Sequence, residues 1–211
     1  VEYLAKLGCL NERTIAVHCV ALSDRDIELL AESGASVVHC PVSNMRLGCG
    51  ASPVVKLLKA GINVALGTDG AASACSLSMF EQMRTAGLIA KGFSQDPTEL
   101  TVNQIIRMAT INGANALKLH CDAGSLAVGK LADLAVIDMS QLVTMPVLDV
   151  LSNVIYAVEA QCVHQVWVSG SLVANIQQEK LLRPDRGKLL TKSNIMSWQN
   201  RVCEILRDDF N

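Results

Sequence analysis

The chain has few aromatic residues: Phe, Trp and Tyr make up 3% of its 211 residues. A core of any size must therefore be built from Val, Leu, Ile and Ala, which suits a well-buried α/β protein. Charge of one sign is missing too. The formal net charge is −2, with no basic stripe and no run of like charge, so nothing argues for nucleic acid or an anionic membrane surface. No apolar run approaches the length of a membrane span, and no secretory signal pattern opens the sequence. No C-x-x-C pair occurs, which removes support for a cysteine zinc site or a thioredoxin-type motif. No G-x-G-x-x-G follows an apolar run, so dinucleotide binding has no support, and no Lys-Ser/Thr follows Gly48 and Gly50 to make a phosphate loop.

The eight cysteines do not suggest a disulfide framework. Cys19 and Cys40 sit inside apolar runs, where a thiol behaves as a small hydrophobe. A reduced, cytoplasmic setting is expected.

Helix and strand alternate over residues 1–92. A helix over 1–8 precedes the strand "TIAVHCVAL" (14–22). Ser23 is an expected N-cap for "DRDIELLAES", with Gly34 just past the helix end. "ASVVHCP" (35–41) is the next strand, closed by Pro41, and a loop leads to a helix with Pro53 in its first turn and Gly61 at its end. "INVALG" (62–67) and a helix from Ser76 follow. Continuously apolar strands separated by helices indicate βα units and a parallel sheet. An open doubly wound sheet and a (β/α)8 barrel both fit. After residue 100 the pattern changes. "TVNQIIRMATINGANAL" (101–117) is one long amphipathic helix capped by Thr101, "GKLADLAVIDM" a turn and strand, and "CVHQVWVSGSLVAN" a hairpin about Ser169-Gly170. The tail from Lys188 to Asn211, carrying Trp198, is a charged amphipathic helix.

The polar residues within the apolar runs are few. His18 stands in the first, His39 ends the second, and Asp69 ends the third inside "VALGTDGAAS". A lone histidine on an apolar strand is more often a satisfied core residue than a catalytic one, and Asp69 alone could be a turn residue. Three consecutive strands each offering such a group weaken that reading, because the strand ends of a barrel form its catalytic rim. Histidine and carboxylate also suit a zinc-type site with an open position for water, but such a site takes three protein ligands and the sequence does not display them all.

The stretch from Val17 to Ser73, with its H-C-P-x-S-N and G-T-D-G-A-A-S blocks, resembles the later half of the barrel in the amidohydrolase superfamily. The branch is the one that contains 5′-methylthioadenosine/S-adenosylhomocysteine deaminases and triazine hydrolases. "GKLADLAVID" and "VHQVWVSGSLV" resemble that branch's return into its small β domain. The resemblance implies that Asp69 binds the metal and shuttles protons, and that His18 contacts the attacking water or the substrate. His39, Ser43 and Asn44 would lie near the substrate. It implies one divalent metal, with zinc first and iron or manganese also suited, a small-molecule substrate, and a homo-oligomer.

Two departures stand out. The H-x-H pair of the family's first strand and the H-x-x-E segment of its fifth have no counterpart here. A barrel of this type needs roughly 250 residues, so this chain, opening at Val1 in helix-like sequence, is expected to be the C-terminal part of a longer enzyme. Ala74 and Cys75 also replace two asparagines usual in the deaminases. The expected fold is thus the C-terminal portion of a (β/α)8 barrel (1–120), part of a small antiparallel β domain (121–187) and a C-terminal helix (188–211). The expected activity is hydrolytic deamination of an adenine-bearing thioether nucleoside. Guanine deamination and triazine hydrolysis are alternatives of the same superfamily, and a non-catalytic fragment is one of another class.

The remaining candidates have simpler readings. His120 and Cys121 make a surface pair, His164 is structural or exposed, and Met79, Met83 and Met108 are core residues. Asp133 fixes a turn, and Arg84 forms an ion pair whose partner the sequence does not name.

Overall fold

The computed structural model describes residues 1–175 and 180–181. They form two compact units: Val1–Lys130 with Ser140–Ala160, and Leu131–Met139 with the described residues from Gln161 onward. The boundary expected after residue 120 falls inside the first unit. The helix expected over 188–211 lies outside the described residues.

In the first unit, after a short helix α1 (Glu2–Lys6), three strands pair in parallel: β1 (Ile15–Val17), β2 (Ser36–His39) and β3 (Val64–Leu66), in the order β1-β2-β3. Val37 lies opposite Val64 and His39 opposite Leu66. Because side chains alternate along a strand, these four share one face of the sheet. Val37, Val64 and Leu66 join Leu30, Leu57, Ile105 and Met108 in one buried cluster, so that face is the helix-covered one. Val38 and Val17, paired in register, occupy the other face.

The crossover helices begin where the sequence indicates. Ser23 caps α2 (Asp24–Ser33) in a reciprocal box with Asp26, and Gly34 ends it with φ 71°. α4 (Val54–Lys59) follows Pro53. Three expectations need correction. The first strand stops at Val17 instead of running to Leu22, because His18 and Cys19 turn into the left-handed region at φ 70° and 51°. Pro41 does not lead into a loop; its fixed φ suits a first helical position, and it opens α3 (Pro41–Arg46). The helix expected over 101–117 is two: α7 (Val102–Ala109) and α8 (Ile111–Ala116), broken at Thr110. There the Thr110 hydroxyl donates to the Ile106 carbonyl at 2.7 Å, offering the backbone an alternative to a continuous helical ladder. Between β3 and α7 lie α5 (Ala71–Ala74) and α6 (Met79–Ser94).

Residues 140–160 return to this unit through α9 (Val150–Tyr156), which buries Ile155 completely. Gly87 on α6 makes the approach feasible, since a Cβ there would stand 2.7 Å from the Tyr156 hydroxyl oxygen. Arg84 donates from Nη2 to the Val158 carbonyl at 3.0 Å, so a backbone oxygen takes the place of the expected ion-pair partner. Met83 and Met108 are buried and Met79 packs against the core, as expected.

Among the described residues the second unit is a four-stranded antiparallel sheet, β4 (Leu134–Ile137), β5 (Val163–Val168), β6 (Ser171–Asn175) and β7 (Lys180–Leu181), in sequence order. Ser169 and Gly170 both have positive φ, the conformation of a type I′ hairpin turn. The Asp133 carboxylate accepts the Ser169 N–H at 2.7 Å and fixes that turn. His164 is half-buried in β5, and His120 and Cys121 are exposed. Cys9, Cys19, Cys40, Cys49, Cys75 and Cys121 are free thiols, and among the described residues no helix is long and apolar enough to cross a membrane.

Candidate active site

Four of the five expected site residues converge at the carboxyl ends of the parallel strands. Asp69 follows β3 at φ 58°, His18 follows β1, and α3 brings Ser43 and Asn44 between them. α3 is held at its start by Gln82 of α6, fully buried, whose Oε1 accepts the Val42 N–H at 3.3 Å. Gly67 lets β3 run close beside β2 just before the site: a Cβ there would meet Val38 Cγ1 at 2.7 Å and Cys40 Sγ at 3.2 Å.

The Asp69 carboxylate is fixed by donors. Ser43 donates to Oδ2 at 2.6 Å and the Gly70 N–H to Oδ1 at 2.6 Å. The Ser43 bond first, then the Gly70 bond, hold its pKa below the usual carboxylate value against the desolvation that opposes them; His18 and the Ser73 hydroxyl add to the effect. Asp69 is therefore an anion across the physiological range. His18 Nε2 lies 4.0 Å from Asp69 Oδ2, and His18 Nδ1 lies 2.8 Å from Asn44 Oδ1. His18 and Asp69 side chains are 42% and 28% exposed, so both can meet a ligand, whereas Ser43 and Asn44 are each at 1%. The Cys40 thiol is pushed up to about 11, by burial first and the Asp69 charge second, which leaves it un-ionised.

His39 is not with the others. It sits on the helix-covered face, 1% exposed, and lines an apolar cavity of about 310 Å³ with Ser52, Val54 and Phe93. Its Nδ1 is buried without a hydrogen-bond partner among the described residues.

Sequence reasoning missed two supports. Ser73 lies one helical turn beyond Asp69, and that spacing could have flagged it. Arg46 clamps α5, the short helix after β3, donating from Nη1 to the Ala72 and Ser73 carbonyls at 2.9 and 2.6 Å; nothing in the sequence marks it. At the two positions of departure, Ala74 is buried in α5 and Cys75 ends it, exposed, with φ 61°.

A carboxylate and an imidazole at the carboxyl ends of the two strands that flank β2 define an α/β protein with its reactive groups on a strand-end rim. The chain belongs to the amidohydrolase family, whose model matches residues 1–173. It is 46% identical over 173 residues to a 5-methylthioadenosine/S-adenosylhomocysteine deaminase of Moorella thermoacetica, an alignment covering 82% of this chain and 40% of that protein. Over an equal span it is 44% identical to a 5′-deoxyadenosine deaminase of Methanothermobacter thermautotrophicus, with the same coverage of 82% and 40%. The crystal structure of an adenosine deaminase from Xanthomonas campestris with bound zinc superposes with a TM-score of 0.86 at 41% identity, covering 96% of this chain and 45% of that one. The chain thus spans less than half the length of the proteins it matches.

Proposed function

We propose that the whole protein is a metal-dependent hydrolytic deaminase of adenine-bearing nucleosides modified at the 5′ position, thioether nucleosides first. In this reading the three parallel strands belong to a (β/α)8 barrel, and the protein works in a reduced, cytoplasmic setting. The observation that carries it is the exposed His18–Asp69 pair, 4.0 Å apart, with the carboxylate already fixed by Ser43 and Gly70.

The donor set fits a divalent metal in part. Asp69 offers an ionised oxygen ligand of the kind zinc accepts. Among the described residues no group of three His, Cys, Asp or Glu could hold an ion. Asp69 would hold the metal here, with zinc favoured by the neighbour that carries it, and further ligands would come from outside the described residues. When bound, the ion would make water acidic enough to react near neutral pH.

The residues of this chain have separate tasks. Asp69 takes a proton from the attacking water, whose oxygen bonds to the amino-bearing carbon of the purine, and passes it towards the departing ammonia. His18 Nε2 orients that water. Ser43 and the Gly70 N–H keep the carboxylate turned to the reacting centre, and Arg46 keeps α5 in place. One water is consumed, the C–N bond breaks, and a carbonyl replaces the amine.

The test is ammonia release by the whole protein from methylthioadenosine, adenosylhomocysteine, 5′-deoxyadenosine, guanine and a chlorotriazine. Turnover of a thioether nucleoside, reduced by at least about 10³-fold in Asp69→Asn, is the expected result. No turnover of either thioether nucleoside sinks the reading, and activity on guanine or the triazine alone would replace it.

The absence of a three-ligand group among the described residues favours a second reading for the 211-residue chain by itself: it is non-catalytic and holds zinc weakly. Elemental analysis after dialysis, with Asp69→Ala alongside, checks this. Near-zero metal in both is expected, and one tightly held zinc lost in the variant would contradict it.

A further inference from the structure

We infer that Asn44 is a positioning residue, whose side-chain oxygen holds the His18 ring in the tautomer protonated on Nδ1 and so turns the Nε2 lone pair towards Asp69. The inference rests on the proposed hydrolysis for its purpose, but not for its geometry.

Asn44 Oδ1 lies 2.8 Å from His18 Nδ1. A carboxamide oxygen only accepts, so this contact is a hydrogen bond when Nδ1 carries the hydrogen, and in the neutral ring Nε2 is then an acceptor. The opposite tautomer would set a ring lone pair against the amide oxygen. The far side of the ring agrees. Nε2 stops 4.0 Å from Asp69 Oδ2, beyond hydrogen-bond range, whereas an N–H there would be drawn onto the anion. Two acceptors facing each other across that distance suit a donor between them, and the attacking water has two O–H groups to offer.

The backbone makes such a tether necessary. His18 has φ 70° and Cys19 φ 51°, so the ring is turned out of the line of β1 by a conformation that L-residues adopt reluctantly. The His18 N–H is tied to the Val38 carbonyl at 2.9 Å, and among the described residues the side chain is hydrogen-bonded through Asn44 alone. Asn44 itself is 1% exposed, which leaves it little surface to offer a substrate. Its Nδ2 is buried without a partner among the described residues. A side chain kept for packing alone would avoid that unsatisfied donor; one kept for its oxygen must carry it.

Ring ¹⁵N–¹H correlation spectra of the 211-residue chain test this at about pH 8.5, where imidazoles are neutral. The His18 signals are assigned by their loss in His18→Gln. Wild type is expected to show His18 protonated on Nδ1. Asn44→Leu is expected to return it to the Nε2-protonated form that free imidazole prefers, and Asn44→Asp, which retains an acceptor, to keep the proton on Nδ1. An Nε2-protonated wild type, or an unchanged tautomer in Asn44→Leu, overturns the inference. Should Asn44→Leu unfold, Asn44→Asp decides, since loss of the Nδ1 proton there overturns it equally. In the whole protein Asn44→Leu should lower kcat by about 10²-fold with KM nearly unchanged. A rise in KM alone would make Asn44 a substrate contact instead. The spectra need no turnover, so a protein inactive on every nucleoside but with the expected tautomer would lose the reaction and keep the tether.

Discussion

His39 is an imidazole held where charge is expensive. Burial, and secondarily the nearby His18, push its pKa down from 6.5 to about 4. The unfolded chain therefore binds more protons than the folded one between those values, so stability is complete above about pH 6.5 and falls as the pH drops through the window. The full effect is on the order of 3 kcal/mol. Urea midpoints of the metal-free chain from pH 7 to 4 should fall in wild type and change much less in His39→Asn. Equal slopes in the two would show that other groups set the acid sensitivity. Sequence alone could mark His39 as unusual but not say which way it faces. A one-residue change of phase moves a strand side chain from one face to the other, and the turn at His18 breaks the phase that would have placed the two histidines alike. The strand-end position of Asp69 was legible because glycines and an apolar strand isolate it; of its two closest donors Gly70 is the next residue, whereas Ser43 comes from α3, which sequence does not align with it.

Individual elements were legible where their signals are local. Ser23 and Thr101 cap α2 and α7 through reciprocal boxes, as the side-chain types at those positions indicate. The break at Thr110 was hidden by an amphipathic pattern that continues across it. Two predictions belong at this scale. Gly67→Ala would drive a methyl to 2.7 Å from Val38 Cγ1, which costs about 1–3 kcal/mol in a packed sheet. Denaturant unfolding should show that loss, and Val38→Ala in the same chain should recover part of it; full additivity of the two losses would rule out the clash. Cys75 ends α5 in the left-handed conformation at φ 61°. Asparagine tolerates that region better than cysteine, so Cys75→Asn should stabilise the chain by a few tenths to about 1 kcal/mol. A lower melting temperature would mean that the thiol makes a contact worth more than the strain.

At the scale of the molecule, the βα units were legible from continuous apolar strands spaced by capped helices, and the hairpin from its turn. The division into units was not. Residues 140–160 rejoin the first unit because Ile155 and Val158 are fully buried and Arg84 reaches the Val158 carbonyl, contacts made with a helix far back in the chain. β1 carries the last prediction. It pairs with β2 on one side only among the described residues, and Ile15 and Val17 are 36% and 48% exposed. An apolar strand edge of this kind templates pairing with another chain. The 211-residue chain should therefore sediment with a mass that rises with concentration, and Val17→Lys should shift it towards the monomer. In the whole protein the same substitution should have the opposite consequence, because a barrel would cover β1 and bury the added charge. A concentration-independent monomer for the wild-type chain would remove the exposed edge as a driving force. A whole protein made more soluble and no less stable by Val17→Lys would show that β1 remains an edge there, and the closed barrel would have to be abandoned.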